Sequence, residues 1–270
     1  MAAAPEGYDA DFLSLAVGMP RPLGDRELRE LAYLHFSVLL DARRRLAAVT
    51  AVNIDGASLL DLERTGDWEL DPRVPATDQA GPGLYSDNDL DRGHLVRRRD
   101  PGWGTIPEAR AATEATFVYP NAAPQASVFN QSKELWLGLE DHVLHFAGSS
   151  ALRLSVFTAP VLDPDDPSYR GVLIPRRFWK VAAWTEGSAE EPVLAAAGFV
   201  LDQAELIELD EAAIAVARLG SFRTFQVPIS DIEAIAAVDL GELVAADVMP
   251  VAAARPGRWS ELESVTDIRL

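Results

Sequence analysis

The sequence predicts a single domain of mixed α+β class, and three observations support that class. Several apolar runs have the length of a strand and are separated by turn-rich segments. Residues 130–146 instead space their apolar side chains at helical intervals, at Leu135, Leu139, Val143 and Phe146. No internal repeat or linker divides the chain, so all elements are expected to share one core.

The first part of the chain predicts an arm followed by a hairpin. Residues 1–29 contain Pro and Gly and are expected to form an N-terminal arm on a domain of residues 30–270. A short helix is predicted over 25–31. The runs 35–40 and 46–54 flank a charged turn, which predicts the two strands of a β-hairpin.

The rest of the chain alternates loops, strands and helices. Residues 71–90 are rich in Pro, Gly, Asp and Asn, which predicts a long loop of the kind that tends to carry function. The remaining predicted elements are strands at 116–119, 151–159, 172–174, 178–184 and 193–201, and helices at 205–218 and 230–236.

Composition excludes several classes of protein. Nearly half of the 270 residues, 48%, are hydrophobic, so the chain can bury a sizeable core. The absence of cysteine excludes disulfides, a thiolate zinc site and a cysteine nucleophile. No signal peptide is visible, and no apolar stretch approaches the roughly 18 residues of a membrane span. A cytoplasmic protein that does not contact membranes is therefore expected.

The formal net charge of −18 argues against a generic nucleic-acid binder, which is expected to be basic. The charge is unevenly distributed, however, because Arg92, Arg97, Arg98 and Arg99 lie within eight positions. A local positive site on an acidic body is therefore expected, and its binding to nucleic acid should be weak and sensitive to salt.

The segment Asp91-Arg92-Gly93-His94 is the best candidate for chemistry. His94 lies in polar, glycine-containing surroundings, whereas His35 lies in an apolar run and is expected to be structural. Four letters alone are weak evidence, but three later segments follow in a fixed order. They are Phe117-Val-Tyr-Pro-Asn121, Phe129-Asn130-Gln131 and Trp136-Leu-Gly-Leu-Glu140.

This ordered series resembles the DNA/RNA non-specific endonucleases, a ββα-metal (His-Me finger) family of the Serratia nuclease and endonuclease G type. The similarity extends over about residues 30–240. It implies a central antiparallel sheet flanked by helices, with the His-bearing strand facing the Asn/Glu helix. It also implies a metal-dependent endonuclease that hydrolyses phosphodiester bonds of both DNA and RNA and leaves 5′-phosphate ends.

The resemblance assigns a role to each motif residue. His94 is the general base, since a neutral imidazole can take a proton from water near pH 7. Arg92 is a phosphate contact. Asn130 is the direct ligand of Mg²⁺, for which Mn²⁺ could substitute, because such hard cations prefer oxygen ligands and keep several waters. Glu140 holds the waters of that metal. Asn121 borders the site as a substrate-binding residue.

Two departures from the family pattern leave alternatives open. Ten residues separate Asn130 from Glu140 instead of eight, so Glu134, four residues after Asn130, is the alternative acid. The early arginine that holds phosphate in some members matches either Arg73 or Arg64.

The other expected contacts concern nucleic acid and protein partners. Arg97 and Arg98 are predicted to follow the phosphate backbone without reading bases. A cytosolic non-specific nuclease is toxic, so an inhibitor protein, a restricted substrate or an activation step is expected, and a homodimer is left open.

Two alternative functions also remain. One is an inactive or regulatory relative that binds a protein partner through its acidic surface, and the other is a phosphodiesterase with a narrower substrate.

Overall fold

The computed structural model describes residues 7–127, 136–188, 190–210, 213–216, 223–249, 259–262 and 264–270. Its strands are β1 (Arg21–Pro22), β2 (Leu28–Tyr33), β3 (Phe36–Asp41), β4 (Leu46–Asp55), β5 (Leu90–His94), β6 (Ala122–Ala126), β7 (Arg153–Pro160), β8 (Ser168–Tyr169), β9 (Val172–Leu173), β10 (Arg177–Gly187), β11 (Pro192–Asp202), β12 (Ile207–Asp210), β13 (Ala213–Val216), β14 (Arg223–Val227), β15 (Val238–Asp239) and β16 (Ser260–Glu261). Its α-helices are α1 (Pro82–Tyr85), α2 (Ile106–Ala115), α3 (Trp136–Ser150) and α4 (Ile229–Ala236).

Eight strands form the central sheet in the order β16, β14, β11, β10, β7, β4, β3, β2. Every neighbouring pair in this sheet is antiparallel. Smaller two-stranded sheets join β1 to β15, β5 to β6, β8 to β9 and β12 to β13. The predicted mixed fold with a central antiparallel sheet flanked by helices is confirmed.

Both faces of the central sheet are covered, because side chains alternate between them along each strand. On one face, Phe178 and Ala182 of β10 pack in a cluster that includes Leu139 and Val143 of α3. On the opposite face, Trp179 packs in a second cluster that includes the N-terminal segment and α4. Helix α3 therefore lies on one side of the sheet. Leu95 and neighbouring residues pack in the same cluster, so β5 and β6 lie on that side as well.

Most of the predicted elements correspond to observed elements of the same type. They are the strands at 35–40, 46–54, 151–159, 172–174, 178–184 and 193–201 and the helices at 130–146 and 230–236. The start of the 130–146 helix lies outside the described residues. Three predictions were wrong. Residues 28–33 form strand β2, because pairing with β3 overrides the helical preference of Leu, Arg and Glu. Residues 116–119 form no strand, because Val118 makes only an isolated bridge to Glu69 and Tyr119 begins a 3-10 helix. Residues 207–210 form strand β12.

The N-terminal segment contributes to the core instead of only lying over it. Phe12, Leu13 and Val17 are buried in the cluster on the α4 side of the sheet. The predicted boundary between an arm and a domain at residues 29 and 30 falls inside β2. Among the described residues, no helix is long and apolar enough to cross a membrane.

Candidate active site

Strands β5 and β6 form the antiparallel hairpin that carries the predicted histidine. His94 stands opposite Ala122 and Gly93 opposite Ala123. The pairing continues past the end of β5, because the Leu95 amide donates a 3.0 Å hydrogen bond to the Asn121 carbonyl. The hairpin and α3 both pack on one side of the central sheet, which places His94 on the side that carries Glu140.

Asn121 fixes the backbone that follows the histidine. Its side chain is fully buried, and its Oδ1 accepts a 2.8 Å hydrogen bond from the Val96 amide. Its Nδ2 donates to the carbonyls of Val96 and Thr116, at 2.9 and 3.0 Å. A buried amide with these internal bonds does not face substrate. The structure therefore gives Asn121 a bracing position in place of the predicted substrate contact.

Gly93 is required by the close approach of a neighbouring side chain. A Cβ atom at this position would overlap Oε1 and Cδ of Gln125. Gln125 is itself buried and lies on β6, two residues beyond the partner of Gly93. The glycine in the motif thus lets β6 pack against β5 and sets the position of His94.

The His94 ring lies between two aromatic side chains. Its centroid is 4.5 Å from that of Trp68 and 4.9 Å from that of Phe117, which meets it edge-on. Its Nε2 is buried and has no hydrogen-bond partner among the residues that the structure describes. A buried polar atom without a partner is uncommon and calls for an explanation, of which a catalytic role is one.

Burial, together with the positive charges of Arg64, Arg98 and Arg97, lowers the pKa of His94 to about 3. The imidazole is therefore neutral at pH 7. A neutral ring has an acceptor nitrogen that can receive a proton, which is the form that general-base chemistry requires.

Three arginines near the histidine have no carboxylate partner among the described residues. The Arg64 guanidinium carbon lies 5.3 Å from the centroid of Phe117, the ring that contacts His94. Arg98 donates to the Leu62 carbonyl at 3.0 Å. Arg92 is exposed and lies two residues before His94, so both side chains point to the same face of β5. No ion pair within 4.0 Å joins Arg64, Arg92 or Arg98 to a described acidic residue, and their charge is available to an anion.

Arg97 has a different environment from its neighbour Arg98. Its Nε is 3.7 Å from Oε2 of Glu140, and its side chain is only 13% exposed. Its guanidinium also hydrogen-bonds Asp141. The predicted contact between Arg97 and a substrate backbone does not match this geometry, because two carboxylates already neutralise the arginine. Glu140 is therefore an ion-pair partner of Arg97, and its place at the site stays a prediction.

Arg73 is likewise engaged elsewhere. Its Nη2 is 2.7 Å from Oδ2 of buried Asp71, and its Nη1 donates to the Ala32 carbonyl at 2.9 Å. Its guanidinium carbon lies 4.6 Å from the Tyr33 ring centroid. Of the two early arginines, Arg64 is therefore the one that the structure places at the histidine.

The predicted metal ligand Asn130 and the alternative acid Glu134 lie outside the described residues. Within the residues that the structure describes, no group of three or more His, Asp or Glu side chains could hold a metal ion. A hydrated Mg²⁺ needs few protein ligands. The acceptors present at the site are the carboxylate of Glu140 and the Nε2 of His94, and both can accept hydrogen bonds from water.

Sequence reasoning missed Trp68 and Lys180 at this site, and it did not predict that Phe117 contacts the His94 ring. Trp68 is far from the motif in sequence, and no local pattern connects it to His94. Lys180 had a usable signal, because it is the one charged residue in the apolar run 178–184. A buried charge in a strand needs a partner, and the ammonium of Lys180 lies 3.5 Å from Oε1 of Glu140.

Comparisons with known proteins agree with this geometry. The chain is similar to an uncharacterized protein, y4fB, of Sinorhizobium fredii (strain NBRC 101917 / NGR234), with 38% identity over 290 residues. That match covers 98% of this chain and 42% of the relative, so the chain spans less than half of the relative's length. A chain from the crystal structure of the EndoG/EndoGI complex shares the fold, with a TM-score of 0.58 at 18% identity. This similarity covers 80% of the present chain and 85% of that chain.

The family assignment comes from a third comparison, which spans most of the chain. The sequence profile of the DNA/RNA non-specific endonucleases matches residues 16–247. This range includes the central sheet from β2 to β14 and the whole His94 hairpin. The chain therefore belongs to the DNA/RNA non-specific endonuclease family.

Proposed function

We propose that this chain is a metal-dependent endonuclease that hydrolyses phosphodiester bonds of DNA and RNA. The observation that carries the proposal is the neutral His94 ring with a buried, unbonded Nε2, held among arginines on a glycine-dependent hairpin. Its family membership supports the same activity. The acidic exterior restricts binding to this local positive site, so affinity for nucleic acid is low and sensitive to salt.

In this mechanism His94 activates water. Its Nε2 takes a proton from the water as the water oxygen bonds to phosphorus, and the bond from phosphorus to the 3′ oxygen breaks. The 3′ oxygen takes a proton from solvent water, which leaves a 3′-hydroxyl and a 5′-phosphate, and His94 then releases its proton to solvent. An anionic phosphate beside the ring offsets the charges of Arg64 and Arg98, so the pKa of His94 rises when substrate binds. The histidine therefore becomes a stronger base in the complex.

Arg92, Arg64 and Arg98 bind the phosphate. A guanidinium presents a planar fork of donors that matches phosphate oxygens. These three have no described carboxylate partner, whereas Arg97 and Arg73 do. Charge that develops on the phosphate in the transition state is stabilised by donors already in place.

Mg²⁺ is the proposed metal, with Mn²⁺ as a substitute. When bound, the ion would supply positive charge to the phosphate and to the leaving oxygen. Asn130 is the proposed protein ligand, and Glu140 is proposed to accept hydrogen bonds from the surrounding water molecules. Glu140 suits this role because its cationic neighbours lie at 3.5 and 3.7 Å, beyond normal hydrogen-bond distance. Its oxygens therefore retain lone pairs for water.

A protein inhibitor is also proposed as a partner. The protein of similar fold was crystallised in the EndoG/EndoGI complex, and that structure addresses the mechanism of EndoG inhibition. A non-specific nuclease active inside a cell needs such a control. The exposed arginines around His94 would be the target, because an acidic inhibitor surface can occupy them in place of phosphate.

Variants of Arg64 and Arg73 test the proposed phosphate contact directly. Arg64→Ala is expected to lower kcat/KM for plasmid DNA and for RNA by about 10- to 100-fold, since a charged hydrogen bond to phosphate is lost. Arg73→Ala is the matched control. It should keep cleavage within about threefold of wild type and lower the melting temperature, because buried Asp71 loses its partner. Loss of cleavage in Arg73→Ala with full activity in Arg64→Ala would reverse the assignment.

A further inference from the structure

Lys180 is a buried cation in the middle of the central sheet. It lies on β10, and its side chain is 2% exposed. Phe178 and Ala182, two residues to either side, pack in the cluster that contains α3. Alternation along the strand therefore directs Lys180 toward α3, away from the face that Trp179 covers.

The two oxygens of Glu140 are each held by one cation. Lys180 Nζ lies 3.5 Å from Oε1, and Arg97 Nε lies 3.7 Å from Oε2. Glu140 is only 10% exposed in its side chain. Because one cation comes from the sheet and the other from the segment after the His94 strand, the carboxylate is fixed relative to both. Its orientation thus depends on β10 as well as on its own helix.

Asp100 completes this buried group of charges. It is 5% exposed, and its amide donates a 3.1 Å hydrogen bond to the Arg97 carbonyl. Burial, opposed by the charges of Lys180 and Arg97, raises the pKa of Asp100 to about 6. Two buried cations thus balance two buried acids, Glu140 and Asp100. Removal of the Lys180 charge would leave Glu140 with a single cationic neighbour.

The choice of lysine at this position is unusual for this chain. The sequence has 24 basic residues, and only Lys133 and Lys180 are lysines. Almost every basic residue of the chain is therefore an arginine, and position 180 is an exception. An ammonium is compact and has no planar fork. It fits a small buried site where it can attract one carboxylate oxygen without occupying the others.

Stability alone does not account for this buried charge. Replacement of both partners of a buried ion pair by apolar residues of similar volume is often neutral or stabilising, and the neighbours of Lys180 along β10 are apolar. We propose that Lys180 is a positioning residue, which orients the Glu140 carboxylate toward the His94 site. This inference rests on the proposed nuclease function and on the role of Glu140 in it.

The test compares Lys180→Met, Glu140→Gln and the double variant in the full chain. Steady-state cleavage of plasmid DNA is measured over a range of Mg²⁺ concentrations, and folding is checked by thermal unfolding. Lys180→Met is expected to lower kcat about 10-fold, in the range seen for residues that orient metal-site groups, with KM for DNA unchanged. The double variant should be no slower than Glu140→Gln alone, because Lys180 acts only through Glu140.

Asp141→Asn is the matched control. It removes another acid partner of Arg97, but Asp141 is 54% exposed, and kcat should stay within about twofold of wild type. If Lys180→Met does not fold, the comparison of the double variant with Glu140→Gln decides, since the double variant leaves no unpaired carboxylate at position 140.

Several outcomes would overturn the inference. They are wild-type kcat in Lys180→Met, a double variant slower than Glu140→Gln, or failure of both Lys180 variants to fold. If any of these outcomes occurs while Glu140→Gln has a lowered kcat, the inference fails and the proposed function stands. Wild-type kcat in Glu140→Gln would instead remove Glu140 from the proposed mechanism, and the inference would fall with it.

Discussion

His94→Ala is expected to lower kcat for cleavage of plasmid DNA and of RNA by about 10³-fold, within the range that general-base catalysis contributes. The reason is the loss of Nε2, the buried acceptor at the centre of the arginine group. KM should change little, because Arg64, Arg92 and Arg98 remain. Initial rates with Mg²⁺ measure both constants. Activity of His94→Ala equal to that of wild type would exclude His94 as the base.

The same variant should change the pH dependence of stability. The pKa of His94 is near 6.5 in the unfolded chain and about 3 in the folded protein. Between these two pH values, the unfolded state binds a proton that the folded state does not. The free energy of unfolding of wild type therefore falls as pH falls through this window. Urea unfolding at pH 7 and pH 5 should show a smaller decrease for His94→Ala. His145→Ala, at an exposed position, should retain the wild-type decrease.

Gly93→Ala is expected to have the second large effect. Its Cβ would overlap the buried Gln125 side chain, and such overpacking costs about 1–3 kcal/mol of folding free energy. The overlap is relieved by a shift of the buried Gln125 side chain or of strand β5 against β6, and a shift of β5 displaces His94. A displacement near 1 Å at a catalytic group can reduce kcat by about 100-fold. Thermal unfolding and plasmid cleavage measure the two effects.

Two further variants make the test of Gly93 specific. Gly83→Ala is the control, because no atom lies within 4 Å of a Cβ at that exposed position. It should have wild-type stability and activity. Gly93→Ala/Gln125→Ala should recover most of the lost activity, because the shorter side chain leaves room for the new methyl group. Equal activity in the double variant and in Gly93→Ala would show that Gln125 is not the obstacle.

The sheet was largely predictable from the sequence, and the errors have physical causes. Strands β3, β4, β7, β10 and β11 are long apolar runs that only a buried sheet accommodates. Helix α2 was missed because its alanine-rich sequence has weak periodicity, although a capping box at Thr105 and Glu108 marks its start. The segment 207–210 was predicted as helix, yet Ile207 and Leu209 alternate with acids at the period of a strand.

The site was predictable where its signal is local. His94, Gly93 and Arg92 are adjacent in sequence, and the later motifs identified Glu140. The choice among arginines was not predictable, because it depends on which carboxylates lie nearby in space. Arg97 and Arg98 are neighbours in the chain, but only Arg97 reaches Glu140 and Asp141. The burial of Asn121 depends likewise on how the turn before β6 packs against Val96.

Cleavage in ¹⁸O-labelled water tests the central claim, that this chain hydrolyses phosphodiester bonds by water attack on phosphorus. A defined DNA oligonucleotide is incubated with the wild-type protein and Mg²⁺, and the products are identified by mass spectrometry. One ¹⁸O atom is expected in each new 5′-phosphate, and the new 3′-hydroxyls should be unlabelled. Label in the new hydroxyl group, or intact DNA and RNA with Mg²⁺ and with Mn²⁺ at low salt, would contradict the claim. A labelled 3′-phosphate would keep attack on phosphorus and contradict the 3′ oxygen as leaving group.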